Sequence, residues 1–251
     1  MSARAASRGE PGEARRAEPL AWNSFEEAIR AGGCAVCRVV EEQQERALYS
    51  FLYEGMTNAE VSERFLSGGG FCAEHYRAVS RMGVNRWSVG VVELGILSER
   101  LLSRASEQLP RTAKRRGGKA GRWLGFQKRS GRDPVLPGAD CMFCRDRRES
   151  EASAVDVLEK LQGDAELAAG IERNGLCLRH GLMALERWKD GTRREWLGGL
   201  LKHTASELRE ELREFLRKYD YRFREKPFGK EADVVDRAVK FLAGTEPHKR
   251  R

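Results

Sequence analysis

Residues 68–78 read GGGFCAEHYRA, and residues 174–184 read NGLCLRHGLMA. Each stretch sets a cysteine and a histidine on either side of two residues, with a glycine two residues before the cysteine. A Cys-x-x-His pair at a helix start places both side chains close to one face, and the glycines give the backbone room to turn in. Upstream of each stretch stands a second pair. CAVC at 34–37 precedes CAEH at 72–75 by 34 residues, and CMFC at 141–144 precedes CLRH at 177–180 by 32. All six cysteines and two of the four histidines are used in this way.

The residues fall into two matched quartets: Cys34, Cys37, Cys72 and His75, then Cys141, Cys144, Cys177 and His180. Three thiolates and one imidazole make a closed tetrahedral ligand set, the pattern of structural zinc, so two zinc ions per chain are expected. Three thiolates on Zn²⁺ leave one negative charge, which Arg38, Arg145 and Arg179 are placed to offset. Disulfides would need an oxidising compartment, and the N-terminus carries no apolar export segment. A thioredoxin-like redox pair needs a strand-to-helix context that is missing here. An iron–sulfur cluster on the same ligands stays as the alternative cofactor. Each half is expected to hold its own ion, because that arrangement is the more local one. The crossed arrangement, Cys-x-x-Cys of one half with Cys-x-x-His of the other, is the alternative.

The duplication extends beyond the ligands. VVEEQQERALYSFLYE and RRESEASAVDVLEKL read as helices after the Cys-x-x-Cys pairs, with short segments at 57–66 and 164–173 leading to the Cys-x-x-His helices. Thr57 with Glu60 suggests a capping box, Asp164 an N-cap, and Thr192 with Glu195 a further capping box. A long helix then closes each half: NRWSVGVVELGILSERLLSRASEQL, ended by Pro110, and TRREWLGGLLKHTASELREELREFLRKY. Apolar residues recur along them at helical spacing (Val91, Leu94, Leu97 and Leu101; Leu197, Leu200, Leu201, Leu208, Leu212 and Phe215), and strand-like alternation is nearly absent. The fold class is all-α, an internally duplicated helical domain with two Cys3His metal sites. The expected organisation is a disordered lead-in (1–20), a first helical Cys3His repeat (21–110) and a basic flexible linker (111–138). A second repeat (139–218) and a C-terminal extended segment, helix and basic tail (219–251) follow.

The net charge of +8 is unevenly spread. The stretch between Arg111 and Arg132 holds nine Lys/Arg and no Asp/Glu, and the presumed folded remainder is mildly acidic. That stretch, with Trp123 and Phe126, offers phosphate contacts and stacking to a nucleic acid, against the plainer reading of a solvated linker. No apolar run approaches the ~18–20 residues of a membrane span, so a cytoplasmic protein is expected. Near the C-terminus Tyr219, Tyr221 and Phe223 alternate with charges as an extended segment, Arg222 and Arg224 are candidate anion contacts, and 231–242 reads as a last helix. His203 and His248 have no motif partner.

The duplicated ligand frame, together with the terminal YDYRF and GKEADVVDRAVKFLAG, resembles a bacterial family of uncharacterised proteins over about 21–110 and 139–244. The resemblance implies that Cys34, Cys37, Cys72, His75, Cys141, Cys144, Cys177 and His180 are the functional positions. It implies no activity. Closed four-ligand sites leave no position for substrate or water, and no P-loop, Gly-x-Gly-x-x-Gly or Ser/His/Asp set supplies another chemistry. The expectation is therefore a non-enzymatic zinc protein that presents a surface to a protein partner. An iron–sulfur or thiol redox sensor, and a nucleic-acid factor using the basic linker, are the alternatives.

Overall fold

A computed structural model of the chain describes residues 19–82, 90–115, 140–220, 222 and 227–244. These residues form α-helices and short 3-10 turns, with no strand among them. In chain order the helices are α1 (Pro19–Ala31), α2 (Ala35–Tyr53), α3 (Ala59–Ser67), α4 (Ala73–Arg81) and α5 (Val91–Arg115). They continue with α6 (Met142–Leu161), α7 (Ala165–Asn174), α8 (Leu178–Arg187), α9 (Gly191–Tyr219) and α10 (Val234–Ala243). The all-α expectation and the periodicity behind it hold: Leu97, Leu197, Leu201 and Leu208 are buried.

The described residues form two compact units, one of those up to 42 together with those from 149 onward, the other of those between 43 and 148. The unit boundaries fall inside α2 and α6 and do not follow the sequence repeats at 21–110 and 139–218. In the first unit Trp22 and Phe25 of α1 lie in a core with Val36, Val39, Val155, Leu158, Ile171 and Leu197. The two large indoles there keep their polar ends satisfied. Trp22 Nε1 donates to Asp164 (3.3 Å), and Trp188 Nε1 donates to the Val155 carbonyl (3.0 Å). In the second unit the core is aromatic. Phe51, Phe65, Phe71 and Phe143 meet in tilted, stacked and edge-to-face pairs with centroids 4.9–5.8 Å apart.

Several local expectations are corrected. α1 begins at Pro19, inside the stretch read as lead-in, because Trp22, Phe25 and Ile29 repeat at helical spacing toward the core. α3 is capped by Asn58, whose Oδ1 accepts from the N–H groups of Glu60 and Val61, while the Thr57 hydroxyl donates to the Glu54 carbonyl. α9 is likewise capped by Asp190 rather than Thr192. Asp164 caps α7 as expected, accepting from Glu166 and Leu167. α5 runs past Pro110 to Arg115, into the segment read as linker. Proline removes one backbone donor, which interrupts the ladder without preventing a further turn. Tyr219 closes α9 instead of opening an extended segment, and the last helix starts as a 3-10 turn at Lys230–Asp233. Trp87, Trp123, Phe126, Tyr221, Phe223, Arg224, His248 and residues 116–138 lie outside the described residues.

Candidate metal centres

All four Cys-containing pairs sit in one local geometry. Cys72 is the N-cap of α4 and Cys177 the N-cap of α8, each with extended backbone (ψ 169° and 155°) and no side-chain cap bond. His75 and His180 follow at the third helical position. N-cap and third-position side chains are the pair that meets in a capping box, and here sulfur and imidazole take those places, with Sγ to Nδ1 distances of 3.2 Å in both. Cys34 and Cys141 directly precede α2 and α6, and Cys37 and Cys144 again occupy the third helical position. Gly70 and Gly175, each two residues before its Cys-x-x-His cysteine, hold φ of +81° and +73°, the left-handed turn that brings the chain into the helix.

The pairs assemble crosswise. Cys34 and Cys37 meet Cys177 and His180 in the first unit, and Cys141 and Cys144 meet Cys72 and His75 in the second; within each set the potential ligand atoms all lie within 4.8 Å of one another. The expected local arrangement, with each half closing its own quartet, is therefore overturned. The geometry of α2 explains why. At ~1.5 Å per residue, a helix of 19 residues carries the chain about 28 Å from Cys34 before the segment leading to Cys72 begins. The nine residues of α3 return about 13 Å of that at most. Cys141 instead arrives beside the glycine run through the Asp140 N–H, which donates to the Gly68 carbonyl (3.2 Å).

The spacing fits a single ion. A tetrahedron with arms of ~2.3 Å to sulfur and ~2.0 Å to nitrogen has edges of roughly 3.5–3.8 Å. In the first centre Cys37–Cys177 is 3.7 Å, and His180 Nδ1 lies 3.5 Å from Cys34, 3.3 Å from Cys37 and 3.2 Å from Cys177. In the second, Cys72–Cys144 is 3.5 Å, and His75 Nδ1 lies 3.2, 3.7 and 3.4 Å from Cys72, Cys141 and Cys144. All six cysteines are free thiols, since an S–S bond would need ~2.05 Å.

Protons are unevenly shared among these thiols. Burial and the neighbouring sulfurs Cys177 and Cys37 push Cys34 up. Hydrogen bonds from the Cys177 and Cys34 thiols bring Cys37 down. Burial pushes Cys144 up to about 12, helped by Cys72. Burial also opposes ionisation of Cys72, but the backbone N–H of His75, the Cys144 thiol and the N–H of Glu74 outweigh it and lower Cys72 overall. In each centre the neighbours thus ease one thiol toward ionisation while burial opposes ionisation of another. A cation is the partner that would let the remaining protons go. Two helix N-termini face each centre, so their partial positive charge bears on the thiolates.

The arginines expected to offset charge are engaged with oxygens. Arg38 Nε donates to the Gly32 carbonyl (3.2 Å), Arg145 pairs with Asp140 (3.1 Å) and Arg179 with Glu151 (2.5 Å). Two residues not singled out in the sequence stand behind the histidines. His75 Nε2 lies 3.1 Å from Gln44 Oε1, and the fully buried Glu151 carboxylate faces His180 Nε2 at 3.8 Å. A metal on Nδ1 leaves a proton on Nε2; the Gln44 side-chain amide lies within hydrogen-bond distance of that nitrogen in one centre, and the Glu151 carboxylate faces it from 3.8 Å in the other. Burial lowers His75, whereas for His180 the sulfurs and Glu151 overcome burial and hold it at about 11. Outside the centres His203 pairs on the surface with Glu207 at 3.4 Å. No helix among the described residues is long and apolar enough to cross a membrane.

Residues 139–249 match the model of a protein family described as a family of unknown function, DUF6062. The matched stretch carries the second half of the duplication, including Cys141, Cys144, Cys177 and His180, which the structure distributes between two different centres. No curated protein and no solved structure matches the chain.

Proposed function

We propose that this chain is a non-enzymatic zinc protein, in which two Cys3His centres clasp a helical scaffold that presents its surface to a protein partner. The observation that carries the reading is the one-ion spacing of both quartets, with all four positions supplied by protein. A closed set leaves no site on the ion for substrate or water, so the metal's contribution is to folding. Cys34, Cys37, Cys177 and His180 would hold one zinc, and Cys72, His75, Cys141 and Cys144 the other. Such thiols persist in a reducing compartment, which favours a bacterial cytoplasm. A multi-iron cluster would keep its protein ligands farther apart than the 3.2–3.7 Å found here, so the redox reading is the weaker one.

The test is elemental analysis of untagged protein purified without air and without added metal, together with its visible spectrum. Two zincs per chain and no colour are expected. Iron with sulfide and a brown solution would overturn the reading. A partner would then be sought with the zinc-loaded chain as bait, against chain stripped of metal.

A further inference from the structure

The two centres have the same ligand set and different surroundings. In the first, only Cys37 is half-buried, while Cys34, Cys177 and His180 are buried. In the second, both Cys72 and Cys144 are half-buried. The end of α10 closes over the first centre. Gly244 has φ +99°, and a Cβ added there would stand 3.0 Å from Cys37 Sγ and 3.8 Å from Cys177 Sγ. Only the missing side chain allows the backbone to lie this close to the sulfurs. The histidines also differ in what stands behind them. Glu151 sets a buried carboxylate, 1% exposed, against His180 Nε2, and Gln44 sets a neutral amide against His75 Nε2. A carboxylate raises the basicity of a ligating imidazole, and partners of this kind change metal affinity by about 10–100-fold. An amide orients the ring and adds no charge.

Shielding, access and charge point the same way. We propose that the centre of Cys72, His75, Cys141 and Cys144 is an exchangeable metal site, and that the centre of Cys34, Cys37, Cys177 and His180 is a permanent one. The inference rests on the zinc reading above. A chelator or an accepting protein takes the ion first through the open pair Cys72 and Cys144. Gln44 and Glu151 act as positioning residues that set the two release rates apart.

The experiment uses the full chain carrying two zincs. EDTA is added in limiting amount, native mass spectrometry follows the loss of zinc, and N-ethylmaleimide with peptide mapping identifies the thiols uncovered. A one-zinc species labelled at Cys72, Cys141 and Cys144 is expected, with release at least ~10-fold faster than from the other centre. Glu151→Gln should bring the two rates together, and Gln44→Glu should slow the first release. Labelling of Cys34, Cys37 and Cys177 in the one-zinc species, or loss of both ions in a single step, overturns the proposal and leaves the zinc reading intact. Wild-type labelling decides the matter even if a variant fails to fold. Protein that holds no zinc at the outset overturns the zinc reading itself.

Discussion

Gln44 and Glu151 occupy the same place in the two centres. Each lies seven residues beyond the second cysteine of a Cys-x-x-Cys pair, two turns along the same helix, and each faces Nε2 of the histidine of its own half of the duplication. Each helix, with the residue before it, thus supplies two thiols to one centre and backs the histidine of the other. Cys34 and Cys37 come with α2, which sets Gln44 behind His75, and Cys141 and Cys144 come with α6, which sets Glu151 behind His180. The crossing of the halves therefore holds for the ligands alone, while the group behind each histidine comes from the histidine's own half.

Metal content in double variants separates crossed from local ligation. In the crossed arrangement Cys34→Ser with His180→Ala strikes one centre twice, and the protein should keep one zinc per chain. Cys34→Ser with His75→Ala strikes both, and should keep none. Local ligation gives the reverse pattern. The loss of a structural ion should also be felt in folding, because its binding free energy is folding free energy. The second double variant should therefore melt far below the first in a thermal scan.

The ligands and the helices were legible because they depend on local spacing. Cys-x-x-His behind Gly70 or Gly175 is a helix start whichever half supplies the other ligands. Which pairs meet was not legible, because that depends on the length of α2 and α6, and sequence proximity argues the wrong way. Gln44 and Glu151 could have been found by carrying the internal alignment ten residues past Cys34 and Cys141. Their difference in residue type hid the match. α1 was missed because Trp22 and Phe25 precede the duplicated frame and have no counterpart within it.

The caps offer a direct comparison. Asn58→Ala removes the acceptor for two N–H groups at the start of α3, and Asp164→Ala does the same for α7. Asn58→Ala should cost about 1 kcal/mol, within a usual range of ~0.5–2, and Asp164→Ala should cost more, because it also removes an acceptor of the buried Trp22 indole N–H. Thr57→Ala should cost less than Asn58→Ala, since its hydroxyl serves the Glu54 carbonyl rather than the helix. Urea denaturation of the three variants checks the order, and a Thr57→Ala cost matching Asn58→Ala would contradict the assignment of the cap.

Close packing of α7 on α1 rests on a missing side chain. A Cβ at Gly170 would fall 2.4 Å from Ile29 Cγ2, well inside contact distance. Gly170→Ala should destabilise the chain by about 1–3 kcal/mol through overpacking. That cost outweighs the gain of ~1 kcal/mol in helix propensity that alanine brings. Gly170→Ala combined with Ile29→Leu should recover part of the loss, because leucine lacks the Cγ2 methyl that clashes. Denaturation of both variants by urea tests this, and a stabilised single variant would mean that the helices stand farther apart.

The attachment of the last helical segment to α9 should depend on pH. The Glu231 carboxylate is buried against Lys218 (2.5 Å) and accepts from the Gly229 N–H, and the Lys218 ammonium holds it down at about 2. A carboxyl group lowered on folding stabilises the folded state above its ordinary value of 4.5, and that stabilisation fades as pH falls toward 2. Lys218→Gln removes the ammonium. Its melting temperature should lie below that of the parent by a constant interval from pH 7 down to about 5, and the interval should narrow below about 4.5 as Glu231 begins to take up its proton. An interval that stays constant through pH 3.5 would show that Lys218 stabilises the fold by packing its stem rather than by pairing with Glu231.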